Sequence, residues 1–206
     1  MRFGLPLLAL LAFSAGARAA EPAPAPSAEQ GLVLSFRGVG EVWQDPSITA
    51  HYRSSRFAGA GFAGWFFLPS LGATLEAGYM RQDAAADRAG VAAGSLELIP
   101  LTLGVQWRRV GEAADIFAGG GAAFSVFNEN TAARVTSGTK PGLDVNAGVR
   151  IHTNLLQPSM RPSGSPGVRG VDVELFAGRR QHHAFGLGSG FDLGAWRVGA
   201  GLAVRL

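Results

Sequence analysis

From residue 31 onward, apolar and polar residues alternate with a period of two, and turn-forming residues break the alternation roughly every 10 to 15 positions. A period of two places successive side chains on opposite faces of a strand. No segment of this region carries the sustained 3.6-residue rhythm of an amphipathic helix. The C-terminus is clearest: Trp196, Val198, Ala200, Leu202, Val204 and Leu206 share one phase, against Arg197, Gly199, Gly201, Ala203 and Arg205. Residues 142–153 set Leu143, Val145, Ala147, Val149 and Ile151 against Asp144, Asn146, Gly148, Arg150 and His152. Residues 96–107 and 71–79 repeat the pattern, and weaker versions occupy 32–42, 55–67, 115–127 and 170–180. The sum is eight strands, an even number.

The connections follow a rhythm of their own. Long polar stretches (43–54, 81–94, 128–140 and 181–188) alternate with short turns at Leu68-Pro69-Ser70-Leu71 and around residues 108–114. Long loops on one side and short turns on the other characterise outer-membrane barrels. The connection 155–170 breaks this rhythm, being long where a short turn is expected. The predicted fold is all-β, an eight-stranded antiparallel up-and-down transmembrane β-barrel.

Alternation alone would also suit a half-buried soluble sheet. Composition separates the two. Charged residues make up 16% of the chain against a typical ~25%, and 30 of 206 residues are Gly, so the polar phase is sparse and small. Trp43, Phe67, Tyr79, Trp107, Phe127 and Trp196 fall near predicted strand ends, where an interfacial girdle is expected. The uncharged run 57–75 holds Gly59, Gly61, Gly64, Pro69 and Gly72, so it reads as a hairpin and not as a membrane helix. Lipid demands that every backbone amide be satisfied internally, so a spanning sheet must close on itself.

Residues 1–19 carry Arg2, an apolar run from Leu5 to Ala15 and an Ala17-Arg18-Ala19 cleavage site, the layout of a secretory signal peptide. Removing Arg2 and Arg18 with it leaves 16 basic against 15 acidic residues, so no footprint for nucleic acid remains. Residues 20–30 form an extended Pro/Ala linker, and residues 31–206 form the barrel. With no Cys, disulfides, thiolate metal sites and Cys nucleophiles are excluded.

The stretch Ile-Pro-Leu-Thr-Leu-Gly-Val-Gln-Trp-Arg-Arg (99–109), followed by a short turn and the Gly-rich Ile116–Phe127, resembles the outer membrane protein beta-barrel domain family, which is similar to the barrel of outer membrane protein A. The resemblance implies a fold and a location and no single activity. It also implies outer-membrane lipid and the outer-membrane assembly machinery as partners, with the chain a monomer. The chain departs from the family pattern by finishing in Leu206, where such barrels usually finish in Phe.

In this geometry the inward phase gathers Arg37, Glu41, Arg56, Glu76, Gln106, Asp144, Asn146, Arg150, His152, Asp172, Glu174, Arg180, Arg197 and Arg205. Charges confined to a narrow lumen must neutralise one another, and Arg forks pair bidentately with carboxylates. A structural ion network is therefore expected, with the external loops as the interacting surface. No catalytic, metal or cofactor site is expected.

Three other functions make their own demands. A transporter of small apolar compounds needs an apolar pocket near the outer mouth, with Phe62 and Phe66 as candidates. A lipid A deacylase-like enzyme needs a Ser facing His152, where the sequence offers Thr153 and Asn154. A soluble lipocalin-like barrel would reverse the two faces. His182-His183 reads as a solvated loop pair. Gly119-Gly120-Gly121 lacks the Lys-Ser/Thr of a phosphate cradle and reads as a close approach of backbones.

Overall fold

The computed structural model describes residues 31–84, 93–131, 134–153, 167–182 and 192–206. The expected leader 1–19, the linker 20–30, His183 and most of the connection 155–170 lie outside these residues. The elements are β1 (Gly31–Trp43), α1 (Pro46–His51), β2 (Ser55–Leu68), β3 (Leu71–Asp83), β4 (Gly94–Arg109), β5 (Ala114–Thr131), β6 (Arg134–His152), β7 (Gly170–Gln181) and β8 (Ala195–Arg205). Every strand pairs antiparallel with its sequence neighbour, and β8 returns to β1 from Val33↔Arg205 to Trp43↔Ala195. The result is a closed eight-stranded barrel without a free edge.

The base of the barrel carries the start of β1, the end of β8 and the Pro69-Ser70 turn; the mouth carries α1 and the tip of the β5–β6 hairpin. Strands of ~9–11 residues suffice to cross a bilayer. At 18 and 19 residues, β5 and β6 exceed that length. They remain paired as far as Thr131↔Arg134.

The two phases separate cleanly by chemistry. Outward lie Phe36, Leu103 and Val198, with exposures of 81%, 64% and 63%; Asp144, Arg150, Asp172 and Glu174 point inward at 0%. A soluble lipocalin-like barrel requires the reverse, so the exterior is built for lipid. Backbones crowd where the inner wall is all Gly. A Cβ at Gly121 would overlap the Leu103 carbonyl oxygen across the β4–β5 ladder, as the close-approach reading requires.

Several boundaries differ from expectation. The stretch 128–140 is largely strand, because the β5–β6 ladder continues well past the last apolar residue of the alternation. Likewise β3 runs to Asp83, inside the expected loop 81–94. The loop 43–54 holds α1, started by Pro46 and capped by the Asp45 side chain on the Ser47 N–H at 2.8 Å. Trp43 and Phe127 are not girdle residues. Both take the inward phase and are buried, whereas Phe67, Tyr79, Trp107 and Trp196 face out.

Candidate functional site

The inward phase of the strands fills the lumen in three layers. The middle layer is ionic. Glu76, on β3, accepts from Arg37 at 2.5 Å, from Arg180 at 3.5 Å and from Arg197. Asp144, on β6, meets Arg197 at 2.5 Å and Arg180 at 3.1 Å. Glu41 binds Arg56 through two guanidinium nitrogens and contacts Arg180 and Arg197, each at 3.3 Å. Arg37 also reaches Glu174 at 2.6 Å; Glu174 holds Arg150 at 2.6 Å, and Arg150 donates to Gln106 at 3.0 Å. This is one connected network, drawn from seven strands. Phe62, Phe117 and Phe176 pack against its guanidinium faces, with Arg37 lying 3.8 Å from the Phe62 ring centre.

The basal layer centres on His152. Its Nε2 lies 3.2 Å from Asp115 and its Nδ1 2.9 Å from Asp172, so a proton on either nitrogen has an acceptor. Asp172 also holds Arg205 at 3.0 Å, and Arg108 donates to the Pro69 carbonyl at 3.0 Å while lying over Phe66. Asn146 sits half-buried within the middle layer, between Asp144 and Arg150 on β6. All fourteen residues of the expected lumen set thus face inward, and all but Asn146 take part in the ionic or hydrogen-bonded contacts described above.

The upper layer is apolar. Trp43, Met80, Leu96, Leu98 and Phe127 cluster with Ile48 and Tyr52, and the Tyr52 hydroxyl donates to Glu129 at 2.8 Å. Burial together with that carboxylate pushes the Tyr52 phenol well above its ordinary range. Asp45 also accepts the N–H of Asp192, tying α1 to the β7–β8 connection. Burial opposes ionisation of Asp45, but the hydrogen bonds from Asp192 and Ser47 outweigh it and hold the carboxyl below the usual range.

Two expectations need correction. His182 is not solvated: it is buried, with Nε2 3.0 Å from the Ser125 hydroxyl, because it follows Gln181 in the inward phase that Arg180 holds. Phe62 and Phe66 do not line an outer pocket. Phe62 packs within the ionic layer and Phe66 pairs in register with Gly31 at the base. His152 faces two carboxylates where a deacylase-like reading needs a serine hydroxyl.

Arg108, Asp115, Ser125 and Lys140 are further buried polar residues that the sequence reading left out. Their signal was phase: Arg108 continues Thr102 and Gln106, and Lys140 continues Asp144 through Gly142. Expected strands 96–107 and 142–153 stop short of Arg108 and Lys140, whereas Asp115 and Ser125 lie within 115–127, in the inward phase.

A family model described as "Outer membrane protein beta-barrel domain" matches residues 5–203. Among solved structures, the chain is similar to the outer membrane protein OprG from Pseudomonas aeruginosa, with 14% identity, a TM-score of 0.57, and coverage of 86% of this chain and 96% of that one. It is also similar to Neisserial surface protein A, with 13% identity, a TM-score of 0.54, and coverage of 85% and 97%. No curated protein sequence matches it.

Proposed function

The chain belongs to the outer membrane protein beta-barrel domain family, and on that premise we propose that it is a closed barrel whose lumen is a structural plug and whose mouth is its working surface. The family is one of the outer membrane, which makes the base periplasmic and the mouth extracellular. A leader spanning residues 1–19 would export it, the outer-membrane assembly machinery would insert it, and it would act as a monomer among lipids. It needs no cofactor, metal or catalytic residue for that role.

One observation carries the plug reading: Glu76 and Asp144 are each shared by Arg180 and Arg197, so side chains from β3, β6, β7 and β8 meet across the bore. A solute passing through would have to separate several buried ion pairs at once, and each separation leaves a desolvated charge behind. Interaction would then fall to α1, the β5–β6 hairpin and the outer ends of the other hairpins.

Planar bilayers test this. The unmodified barrel should show no steady current, and Glu76→Ala with Asp144→Ala should introduce flickering small events. Steady conduction at wide aperture by the unmodified barrel overturns the reading.

A further inference from the structure

The upper layer of the lumen has more apolar content than closure requires, since the ionic layer beneath it already fills the bore. Part of that content does not belong to the wall. Ile48 comes from α1 and Tyr52 from its C-cap, and both side chains are buried in the cluster while most other α1 residues stay exposed. A six-residue helix has almost no stability of its own. It is held by those two side chains, by the Asp45 tie to Asp192 and by the Tyr52–Glu129 hydrogen bond.

Lifting α1 would leave a vestibule walled by Trp43, Met80, Leu96, Leu98 and Phe127. Its floor is Arg56, whose guanidinium lies 3.8 Å from the Trp43 ring centre. Two donors on this floor are buried with no acceptor among the described residues: Nε1 of Trp43 and Nη1 of Arg56. Their side chains are almost fully buried, with Trp43 3% exposed and the Arg56 side chain likewise at 3%. A buried donor left without an acceptor is costly, and here two lie side by side in an apolar chamber. The ionic layer beneath adds to the demand. Five guanidiniums (Arg37, Arg56, Arg150, Arg180 and Arg197) face four carboxylates (Glu41, Glu76, Asp144 and Glu174), leaving one positive charge in excess.

We propose that α1 is a displaceable stopper and that the vestibule beneath it binds a medium-chain carboxylate, head first, with its carboxylate on Trp43 Nε1 and Arg56 Nη1 and its chain along the wall that Ile48 and Tyr52 vacate. The two orphan donors match a carboxylate's acceptors, and the excess guanidinium matches its charge. The apolar wall of Met80, Leu96, Leu98 and Phe127 accommodates a chain. Because the site lies above the ionic layer, binding does not depend on whether the barrel conducts.

The chain has four Trp, so replacing Trp65, Trp107 and Trp196 with Phe leaves Trp43 as the sole emitter. This barrel, in nanodiscs, is titrated with 2-bromoundecanoate, whose bromine lies beside the head group set on Trp43 and quenches indole on contact, and with 2-bromoundecan-1-ol, which has the same chain and no charge. Saturable quenching is expected, with the alcohol about tenfold weaker, the measure of a lost charge-assisted hydrogen bond. Arg56→Met should bring the acid down to the alcohol, and Tyr52→Ala should tighten both. Heat-modifiable migration on gels verifies folding of each variant, and Glu129→Gln, which loosens the stopper without emptying the vestibule, replaces Tyr52→Ala if that variant fails to fold. Quenching that rises without saturation, as simple partition into the bilayer would give, overturns the proposal. So does equal binding of acid and alcohol.

Discussion

Between Glu41 and Trp43, successive inward-facing residues of β1, the lumen changes from a bore filled with ion pairs to one filled with apolar side chains. The same change falls between Glu76 and Met80 on β3. Both layers are built on the same ladders and the same phase, so the barrel backbone prefers neither. Period-two alternation decides which way a side chain points and says nothing about what it must be. What differs is the way each layer fails. An ionic layer tolerates paired deletion and resists single deletion, because one missing partner strands a desolvated charge. An apolar layer responds to lost volume, whichever residue supplies it.

The sharpest way to break this comparison is at Glu76, which serves Arg37, Arg180 and Arg197 together. Glu76→Ala should destabilise the lipid-embedded barrel by about 3–5 kcal/mol, as stranding buried charge does elsewhere. Glu76→Met combined with Arg197→Met should recover most of that loss. Urea unfolding followed by the heat-modifiable band measures both. If the double variant is as unstable as the sum of its singles, the two residues are uncoupled and the layer is not a network.

Leu98 supplies the matching cut in the apolar layer. It is 2% exposed and lies in register with Met80 and Phe127. Leu98→Ala should cost about 2–4 kcal/mol through the cavity it leaves. Leu98→Met should cost about 1 kcal/mol or less, since its volume is close to that of Leu. A Met variant as damaged as the Ala variant would mean that something other than packing volume governs this layer.

Much of the ionic layer could be read from the sequence, whereas most of the apolar one could not. Arg37, Glu76, Asp144, Arg150 and Glu174 interrupt apolar alternation, so their phase is visible by contrast. Met80, Leu96, Leu98 and Phe127 are apolar residues in the inward phase of largely apolar strands, so only their parity with Glu76, Gln106 and Ser125, and not their type, marks them as lumenal. Trp43 was placed in the girdle for that reason, although its parity with Arg37 and Glu41 already pointed inward. Tyr52 lies beyond a strand end, where period two no longer applies, and its inward position depends on the path of α1, a tertiary feature. His182, one residue past β7, keeps the inward phase of Arg180.

The smallest effect expected, and the finest test of the two layers' independence, lies at Asp45. Its carboxylate caps α1 and accepts from Asp192, so ionisation is favoured in the folded mouth and the carboxyl is held below its usual range. A depressed carboxylate stabilises the fold above its ordinary range and loses that contribution as pH falls through its lowered value. Acidification below about pH 4 should therefore loosen α1 first, while the backbone ladders of the barrel persist. In the barrel with Trp43 as sole emitter, the emission should shift to the red on acidification as water reaches the indole. Asp45→Asn should show part of that shift already at neutral pH, and a correspondingly smaller acid step. The substitution itself should cost the mouth no more than about 1 kcal/mol, since Asn remains a competent cap. If the acid step is the same size with Asn as with Asp, the mouth is opened by titration elsewhere, the ionic layer beneath being the first place to look, and the two layers are coupled.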